Sequence, residues 1–449
     1  MPRYGYLAKG GSDVAEHPLT LPWGKEELSL ALPGGWHLAG VLEPAPRPGV
    51  KDPADEVRRS LGEPLGSPRL RDLVKQGMRV ALVMDDLSRP TPVALLLPGV
   101  LEELAQGGVA REDVTLVTAL GLHRPMQAGE VAQRVGDAGL LGLHWENHDC
   151  DDAGRLVSLG TTSRGTPVWI NKTVAQADLV VSLGCIEPHI IASFGGGFKN
   201  LFPGVAGRET VAHNHSLNCR SDTFNMVGQP IERNPMRLDL EEAGRMLKAP
   251  VFIVNAVLNS ALEIVRVVSG DPVAAHREGA RVSAELYGVQ VPAVADVVIT
   301  DSHPMDQDLR QGVKALANTV RAVRRGGVQI TLARAQEGVG VFGLANRRLP
   351  LGRRALKTLA PLLVRLVPRL KMEGEEDRFF LYFALRAMYH CTMFLYAPTI
   401  PAEVRAGLPF VEFVEQPADA ISKARGLLPG RAEVLVFPHG GITYPILPE

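Results

Sequence analysis

The 449-residue sequence has few of the features that mark specialised classes of protein. Its four cysteines form no CxxC pair, so neither a zinc knuckle nor a disulfide framework is indicated, and we expect reduced thiols. No apolar run approaches the roughly 20 residues of a membrane-spanning helix, and the N-terminus has no apolar signal core. Lys and Arg number 48 against 49 Asp and Glu, so no overall positive charge attracts nucleic acid. We therefore expect a cytoplasmic protein without a nucleic-acid partner or membrane association.

What remains is the composition of a globular chain, with 45% hydrophobic and 22% charged residues. The length exceeds that of one ordinary core and predicts two domains. Short apolar segments at 78–84, 114–119 and 177–183 are typical of buried parallel strands. Helical patterns separate them, for example at 91–104 and 128–135. This alternation predicts an α/β fold.

A second α/β unit begins with a predicted strand at 295–300, which leads into a helix from about 308 to 324. A linking helix over 271–287 precedes it and puts the domain boundary near 275–290. We predict an N-terminal cofactor-binding domain over 1–275 and a C-terminal domain over 290–430. A strand near 433–449 is expected to pack back on the first domain, with an active-site cleft between the two.

Polar side chains follow the three predicted strands of the first domain. Asp85 and Asp86 come after the first strand, His123 after the second, and Glu187 and His189 after the third. Ligands of open α/β sheets bind beyond the carboxyl ends of the strands. These separate segments are therefore expected to converge on one crevice.

Three consecutive glycines precede Lys199, and a His-Asn-His run ends at His215. Glycines allow the backbone to approach a bulky ligand closely, because no Cβ stands in the way. They would direct one nucleophilic amine at that ligand. The pattern indicates an anchored cofactor.

Together these segments resemble the nickel-dependent lactate racemase family, whose members carry a nickel pincer nucleotide. The resemblance covers most of the chain and is strongest between residues 79 and 216. It rests on His215, sixteen residues after Lys199, on Gln311 with Lys314, and on three motifs: DDLSRPTP at 85–92, GLHRP at 121–125 and EPHIIASFGGGFK at 187–199.

The resemblance implies that Lys199 carries pyridinium-3,5-bisthiocarboxylic acid mononucleotide covalently, through a thioamide, and that His215 is a nickel ligand. His123 and His189 correspond to the two catalytic histidines. One histidine takes the hydroxyl proton of a 2-hydroxy acid while the α-hydride moves to the pincer carbon, and the hydride then returns to the other face. Imidazole suits nickel, and a base near pKa 6.5 works in both directions at neutral pH. The implied activity is a 2-hydroxy acid racemase or epimerase that depends on cofactor-maturation enzymes.

Further residues are candidates for binding. The planar fork of Arg89 suits a carboxylate or a phosphate. Asp86 is expected to accept bonds from ribose hydroxyls, and Ser88, with the adjacent helix N-terminus, to hold the phosphate. Gln311 and Lys314 lie one helical turn apart. The resemblance implies that they contact the substrate, with Lys314 at its carboxylate.

Alternatives remain open. His213, His215 and His189 would suit a zinc-dependent hydrolase, although no HExxH motif is present. A non-catalytic nickel- or nucleotide-binding homologue is the second alternative. The loop before Lys199 also departs from the family, which often has glycine where Ser193 stands. The sequence does not identify which 2-hydroxy acid is the substrate, nor the oligomeric state.

The basic segment 347–371 has no assigned role. From residue 338 to residue 372 the sequence contains no acidic residue, and arginines and lysines alternate with leucines. This pattern is typical of a solvated helix face. A membrane surface or an anionic ligand are the alternatives.

Overall fold

The computed structural model describes residues 19–136, 142–220, 224–340, 343–346, 351–370 and 376–448. In chain order the strands are β1 (Leu19–Trp23), β2 (Glu26–Leu30), β3 (Trp36–Val41), β4 (Val80–Asp85), β5 (Val114–Ala119), β6 (His144–Asn147), β7 (Leu156–Thr161), β8 (Pro167–Asn171), β9 (Leu179–Cys185), β10 (Pro188–His189), β11 (Ser193–Phe194), β12 (Val251–Leu258), β13 (Ile264–Gly270), β14 (Gly288–Gln290), β15 (Ala295–Asp301), β16 (Val323–Leu332), β17 (Thr392–Tyr396), β18 (Glu412–Val414), β19 (Ala432–Phe437) and β20 (Tyr444–Ile446).

The α-helices are α1 (Pro53–Gly62), α2 (Val93–Gln106), α3 (Ala128–Val135), α4 (Lys172–Gln176), α5 (Arg208–Ser216), α6 (Pro235–Arg245), α7 (Ala274–Tyr287), α8 (Leu309–Thr319), α9 (Arg353–Leu366), α10 (Glu376–His390), α11 (Ala402–Gly407) and α12 (Pro417–Leu427). In the described part of the chain no helix is long and apolar enough to cross a bilayer.

The chain divides into two compact units. The central unit comprises Pro46–Asn218 and Met226–Leu286. The terminal unit comprises Met1–Ala45, Cys219–Asn225 and Tyr287–Glu449. Each unit contains a six-stranded sheet with helices, so the predicted α/β fold with two domains is confirmed.

The sheet of the central unit has the strand order β13-β12-β9-β4-β5-β6. All neighbours run parallel except β13, which is antiparallel to β12. Every residue of β4 and β9 is buried. Strands covered on both faces read as continuous apolar runs, which is why these segments could be predicted from the sequence. Their leucines and valines form one core with those of α1 and α2.

The sheet of the terminal unit has the order β18-β17-β16-β15-β19-β3, with all neighbours parallel. Its core combines the buried faces of these strands with β1, β2 and α12. The predicted strand at 295–300 corresponds to β15, and the predicted helix after it is shorter, ending at Thr319 as α8.

Two details of the predicted domains need correction. The segment before residue 46 was assigned to the first domain, but β3 pairs with β19 in the terminal unit. The strand near 433–449 was expected to pack on the first domain, whereas β19 lies between β15 and β3, and β20 pairs with β14. A buried parallel strand needs hydrogen-bonding neighbours on both edges, and β3 supplies the second neighbour of β19.

Candidate active site

Strand β4 ends in two buried aspartates. The Thr91 hydroxyl donates to Asp85 Oδ2 at 2.5 Å, and Arg134 of α3 pairs with the other oxygen of Asp85. Nε of Arg134 also donates to the Asp85 carbonyl oxygen at 2.8 Å. Burial raises the pKa of Asp85, with Arg134 opposing it. These bonds fix the loop between β4 and α2.

Asp86 is bound to His123. Its Oδ2 lies 2.6 Å from Nδ1 of His123, and its Oδ1 accepts from the hydroxyl of Ser88 at 2.6 Å and from the Ser88 N–H at 3.2 Å. Burial alone would raise the pKa of Asp86, but the bonds from His123 and Ser88 and the charge of Arg89 lower it to about 2. The sequence predicts that Asp86 binds the ribose and Ser88 the phosphate of a nucleotide. The structure joins them to each other and to His123.

The Asp86 bond determines which nitrogen of His123 is protonated. An ionised carboxylate accepts, so the ring carries its proton on Nδ1 and presents an unprotonated Nε2. A carboxylate behind an imidazole also stabilises the imidazolium that forms when Nε2 takes up a proton. Nε2 of His123 is thus left able to accept a proton.

Arg89 forms an ion pair with Glu187 across the ends of β4 and β9. Nη1 of Arg89 lies 3.2 Å from Oε1 of Glu187, and both side chains are largely buried. Burial would lower the pKa of Arg89, but the charges of Glu187 and Asp86 outweigh it and raise that pKa. Glu187 had no predicted role. Its position directly after a buried strand, two residues before His189, was the signal available in the sequence.

His189 is buried in a short hairpin made by β10 and β11. Its Nδ1 accepts from the backbone N–H groups of Ile191 and Ala192, both at 3.2 Å. An accepting Nδ1 places the proton of the neutral ring on Nε2. His123 and His189 are therefore held as opposite tautomers, one with an unprotonated Nε2 and the other with an Nε2–H donor.

Lys199 lies in a 3₁₀ turn, Gly197–Asn200, and is half-buried. Two preceding glycines, Gly196 and Gly197, have positive φ angles of 70° and 63°. A Cβ on Gly197 would approach the ring of His276 to 3.0 Å, so this turn requires glycine for space as well as for conformation. Ser193 also has a positive φ, 63°, at the position where the family often has glycine.

His215 lies in the last turn of α5. Its Nδ1 is 2.8 Å from the carbonyl oxygen of Val211, one turn earlier. A carbonyl only accepts, so Nδ1 carries the proton and Nε2 is the nitrogen suited to a metal. His213 of the same helix instead bonds the hydroxyl of Thr166 through Nδ1, at 2.8 Å.

The three histidines considered for a zinc site do not bring their ligand atoms close together. Among the described residues, one group of three His, Cys, Asp or Glu side chains has ligand atoms within 4.8 Å of one another: Asp149, Cys150 and Asp151. It contains no histidine, and Arg208 already binds Asp151. The zinc-hydrolase alternative therefore gains no support from the geometry.

Gln311 and Lys314 lie on α8 of the terminal unit, as the sequence predicted for their helix. Asp308 caps the start of this helix by accepting from the N–H of Gln311 at 2.7 Å. Gln311 is buried, and its Oε1 has no hydrogen-bond partner among the described residues. Lys314 is half-buried.

Comparisons with known proteins identify relatives of this chain. The sequence model of one protein family, the lactate racemase N-terminal domain, matches residues 23–226. Lactate racemase of Thermoanaerobacterium thermosaccharolyticum is 30% identical over 329 residues, which is 72% of this chain and 76% of that protein. Lactate racemase of Lactiplantibacillus plantarum is 31% identical over 293 residues, 64% of this chain and 68% of that protein.

A solved structure extends the similarity to the whole fold. The lactate racemase apoprotein from Thermoanaerobacterium thermosaccharolyticum matches with a TM-score of 0.80 at 25% identity, over 96% of this chain and 100% of that chain. Identity, coverage and fold agree. The chain therefore belongs to the lactate racemase family and is an isomerase.

Proposed function

We propose that the enzyme racemises or epimerises a 2-hydroxy acid with a nickel pincer nucleotide attached to Lys199. The observation that supports this most directly is the pair of oppositely protonated histidines, His123 and His189. A binding protein does not need two acid/base groups. Inversion of a carbinol centre does, because the hydroxyl proton must be removed on one face and restored on the other.

The residues present fit such a nucleotide. Lys199 offers an amine on a glycine turn, and a large group can approach this turn closely because its glycines have no Cβ. His215 presents Nε2, a nitrogen ligand that nickel accepts readily. When bound, the nucleotide would supply the acceptor for the α-hydride. Its synthesis would require maturation enzymes as partners.

His123 would take the hydroxyl proton of one enantiomer at Nε2. Asp86 then faces an imidazolium and stabilises it at 2.6 Å. Once the keto acid has turned, His189 would give its Nε2 proton to the product oxygen while its Nδ1 takes up a proton from solvent. His123 would return its proton to solvent, so that both rings end neutral. To hold a second proton, His189 must release the two N–H groups that Nδ1 accepts, so the two histidines are not equivalent.

Arg89 would bind the substrate carboxylate with the part of its fork that is not paired with Glu187. Gln311 and Lys314 would contribute further polar contacts from α8, as the family resemblance implies. Because Ser193 stands where the family often has glycine, the identity of the substrate must be determined by experiment. Lactate is one member of the class to be screened.

The test is intact mass and nickel content of protein co-expressed with the cofactor-synthesis enzymes. We expect an adduct and nickel in the wild type and neither in Lys199→Ala. His215→Ala should retain the adduct and lose nickel, and Lys172→Ala, which removes an exposed lysine of the same unit, should match the wild type. Loaded protein is then screened against 2-hydroxy acids for exchange of the α-hydrogen.

An unmodified Lys199 without nickel would contradict the proposal, provided that a known lactate racemase loads in parallel. A loaded protein that exchanges no 2-hydroxy acid would instead favour the non-catalytic homologue.

A further inference from the structure

Arg237 is an arginine with no exposed surface, on helix α6. Its guanidinium contacts three backbone carbonyls of the loop before Lys199. Nε donates to Ala192 O at 3.3 Å, Nη1 to Gly196 O at 3.0 Å, and Nη2 to Phe194 O. One side chain therefore donates to three carbonyls of a segment whose only strand pairing is the two-residue hairpin of β10 and β11.

A fourth carbonyl in this stretch, that of Gly195, is held by a second buried side chain. Nε2 of His276 lies 2.8 Å from Gly195 O. Burial, reinforced by Arg237 and Arg277, lowers the pKa of His276 well below its ordinary value, so the ring is neutral. Nη1 of Arg277 lies 3.3 Å from Nδ1 of His276, which places the His276 proton on Nε2, where Gly195 accepts it.

These contacts reach Lys199 through one shared atom. The carbonyl oxygen of Gly196 accepts from Nη1 of Arg237 and also from the backbone N–H of Lys199, at 3.2 Å. From Ser193 to Gly197 the loop includes three positive φ angles. Such conformations persist only when the surroundings fix them. Arg237 is part of those surroundings, because it binds the carbonyls on either side of Ser193 and the carbonyl directly before Gly197.

Fold stability alone does not explain an arginine here. Burial outweighs the favourable charge of Glu241 and lowers the pKa of Arg237 to about 9. Apolar residues of similar volume often stabilise a protein at least as well as buried charges do. An apolar side chain, however, would remove the Arg237 donor from the Phe194 carbonyl and would leave the Ala192 and Gly196 carbonyls with only their backbone donors, Phe194 N–H and Lys199 N–H.

We propose that Arg237 is a positioning residue for Lys199: by fixing the carbonyls of residues 192, 194 and 196 it presents the lysine amine for covalent attachment of the cofactor. This inference rests on the proposed function, since it concerns the same covalent site. The residue that it adds to the site, Arg237, lies 38 positions after Lys199 and belongs to no recognisable sequence motif.

The test compares Arg237→Met and Arg237→Lys with Arg59→Met. Arg59 also donates to a backbone carbonyl of the central unit, that of Val267 at 2.9 Å, but does not contact the loop. Adduct per folded protein is measured by intact mass after co-expression. We expect a loss of about tenfold or more in Arg237→Met, because small displacements of reacting groups cost that much. A partial loss is expected in Arg237→Lys, and none in Arg59→Met.

A second measurement uses unloaded protein and does not depend on the cofactor. Acetic anhydride labelling of Lys199 is followed by peptide mass spectrometry, with Lys172 as the internal standard. The half-buried Lys199 should become labelled faster in Arg237→Ala, because the turn is released. Low, non-denaturing guanidinium chloride should restore the wild-type rate, whereas sodium chloride should not.

The proposal is overturned if adduct falls only in proportion to folded protein in every variant, or if the labelling of Lys199 is unchanged. If the wild type itself carries no adduct, the proposed function fails while the labelling result still decides the role of Arg237.

Discussion

Asp86 Oδ2 and His123 Nδ1 lie 2.6 Å apart, in a bond that joins the ends of β4 and β5. The carboxylate fixes the ring orientation and its tautomer at once. Ser88 holds the opposite oxygen of Asp86, so the carboxylate itself has one orientation. Turnover should therefore depend strongly on Asp86, which contacts His123 directly, and less on Ser88, which acts through Asp86.

Asp86→Asn should therefore reduce turnover far more than Ser88→Ala. The asparagine amide can donate to Nδ1, which moves the proton of His123 to Nε2 and removes the base. We expect turnover to fall by about 10²–10⁴-fold. Ser88→Ala removes one of the bonds to Asp86 and should cost about tenfold or less. The measurement is α-hydrogen exchange by loaded enzyme, with adduct content checked for each variant. Near-normal turnover in Asp86→Asn would exclude His123 as the base.

The residues at the strand ends show which features of the site local sequence patterns can predict. β4, β5 and β9 were predictable because both faces of each are covered, and the expected convergence of Asp86 and His123 followed from parallel strands ending at one edge. The bond itself joins residues 37 positions apart and depends on loop geometry that no local pattern encodes. For the same reason the tautomer of His189 was not predictable.

Arg237 and β3 were missed for a different physical reason. Arg237 acts on backbone carbonyls, which are present at every residue and leave no side-chain motif to recognise. β3 pairs with β19, from the opposite end of the chain. Strand partners at such separations are chosen by the whole core rather than by neighbouring residues.

Helix α6 packs against the Lys199 turn through a glycine. A Cβ on Gly244 would lie 2.3 Å from Cε1 of Phe198, which is itself buried. Gly244→Ala should lower the free energy of unfolding by about 1–3 kcal/mol through overpacking. Gly129→Ala, on α3 with no atom within 4 Å of the new methyl, should raise it by about 0.5–1 kcal/mol. Urea unfolding of the two variants tests the opposite signs, and equal effects would contradict the packing argument.

The helix that carries His215 is tied to α6 by Asp239. This fully buried carboxylate accepts from Thr162 Oγ1 at 2.6 Å, Thr166 Oγ1 at 2.7 Å and Asn214 Nδ2 at 2.8 Å. Asp239→Ala removes the shared acceptor of three buried donors and should cost about 3 kcal/mol or more.

The matched control for this variant is Asp151→Ala, which removes an exposed carboxylate paired with the first residue of α5. It should cost about 1 kcal/mol or less. Urea unfolding measures both changes. Nickel content of loaded protein should fall in Asp239→Ala and persist in Asp151→Ala, because Asn214 neighbours the proposed ligand. Retention of nickel and stability in Asp239→Ala would show that α5 is held by other contacts.

Asp301 at the end of β15 predicts an unusual dependence of stability on pH. Its Oδ1 accepts from the N–H of His303 at 2.7 Å, while Oδ2 is buried and has no partner among the described residues. Burial, and to a lesser degree the charge of Asp306, raises the pKa of Asp301 to about 8, with Arg334 opposing. The ordinary value is 3.8.

The folded protein therefore holds a proton on Asp301 that the unfolded chain has released. The contribution of this group is fully present below pH 3.8 and is lost as pH rises toward about 8. Asp301→Asn keeps the acceptor for His303 and removes the titration. It should be more stable than the wild type at pH 8, by about 5 kcal/mol, and little different at pH 4. Thermal unfolding of both proteins across this range isolates the difference, since all other titrating groups are shared. Parallel curves for the two proteins would show that Asp301 is ionised in the folded state throughout.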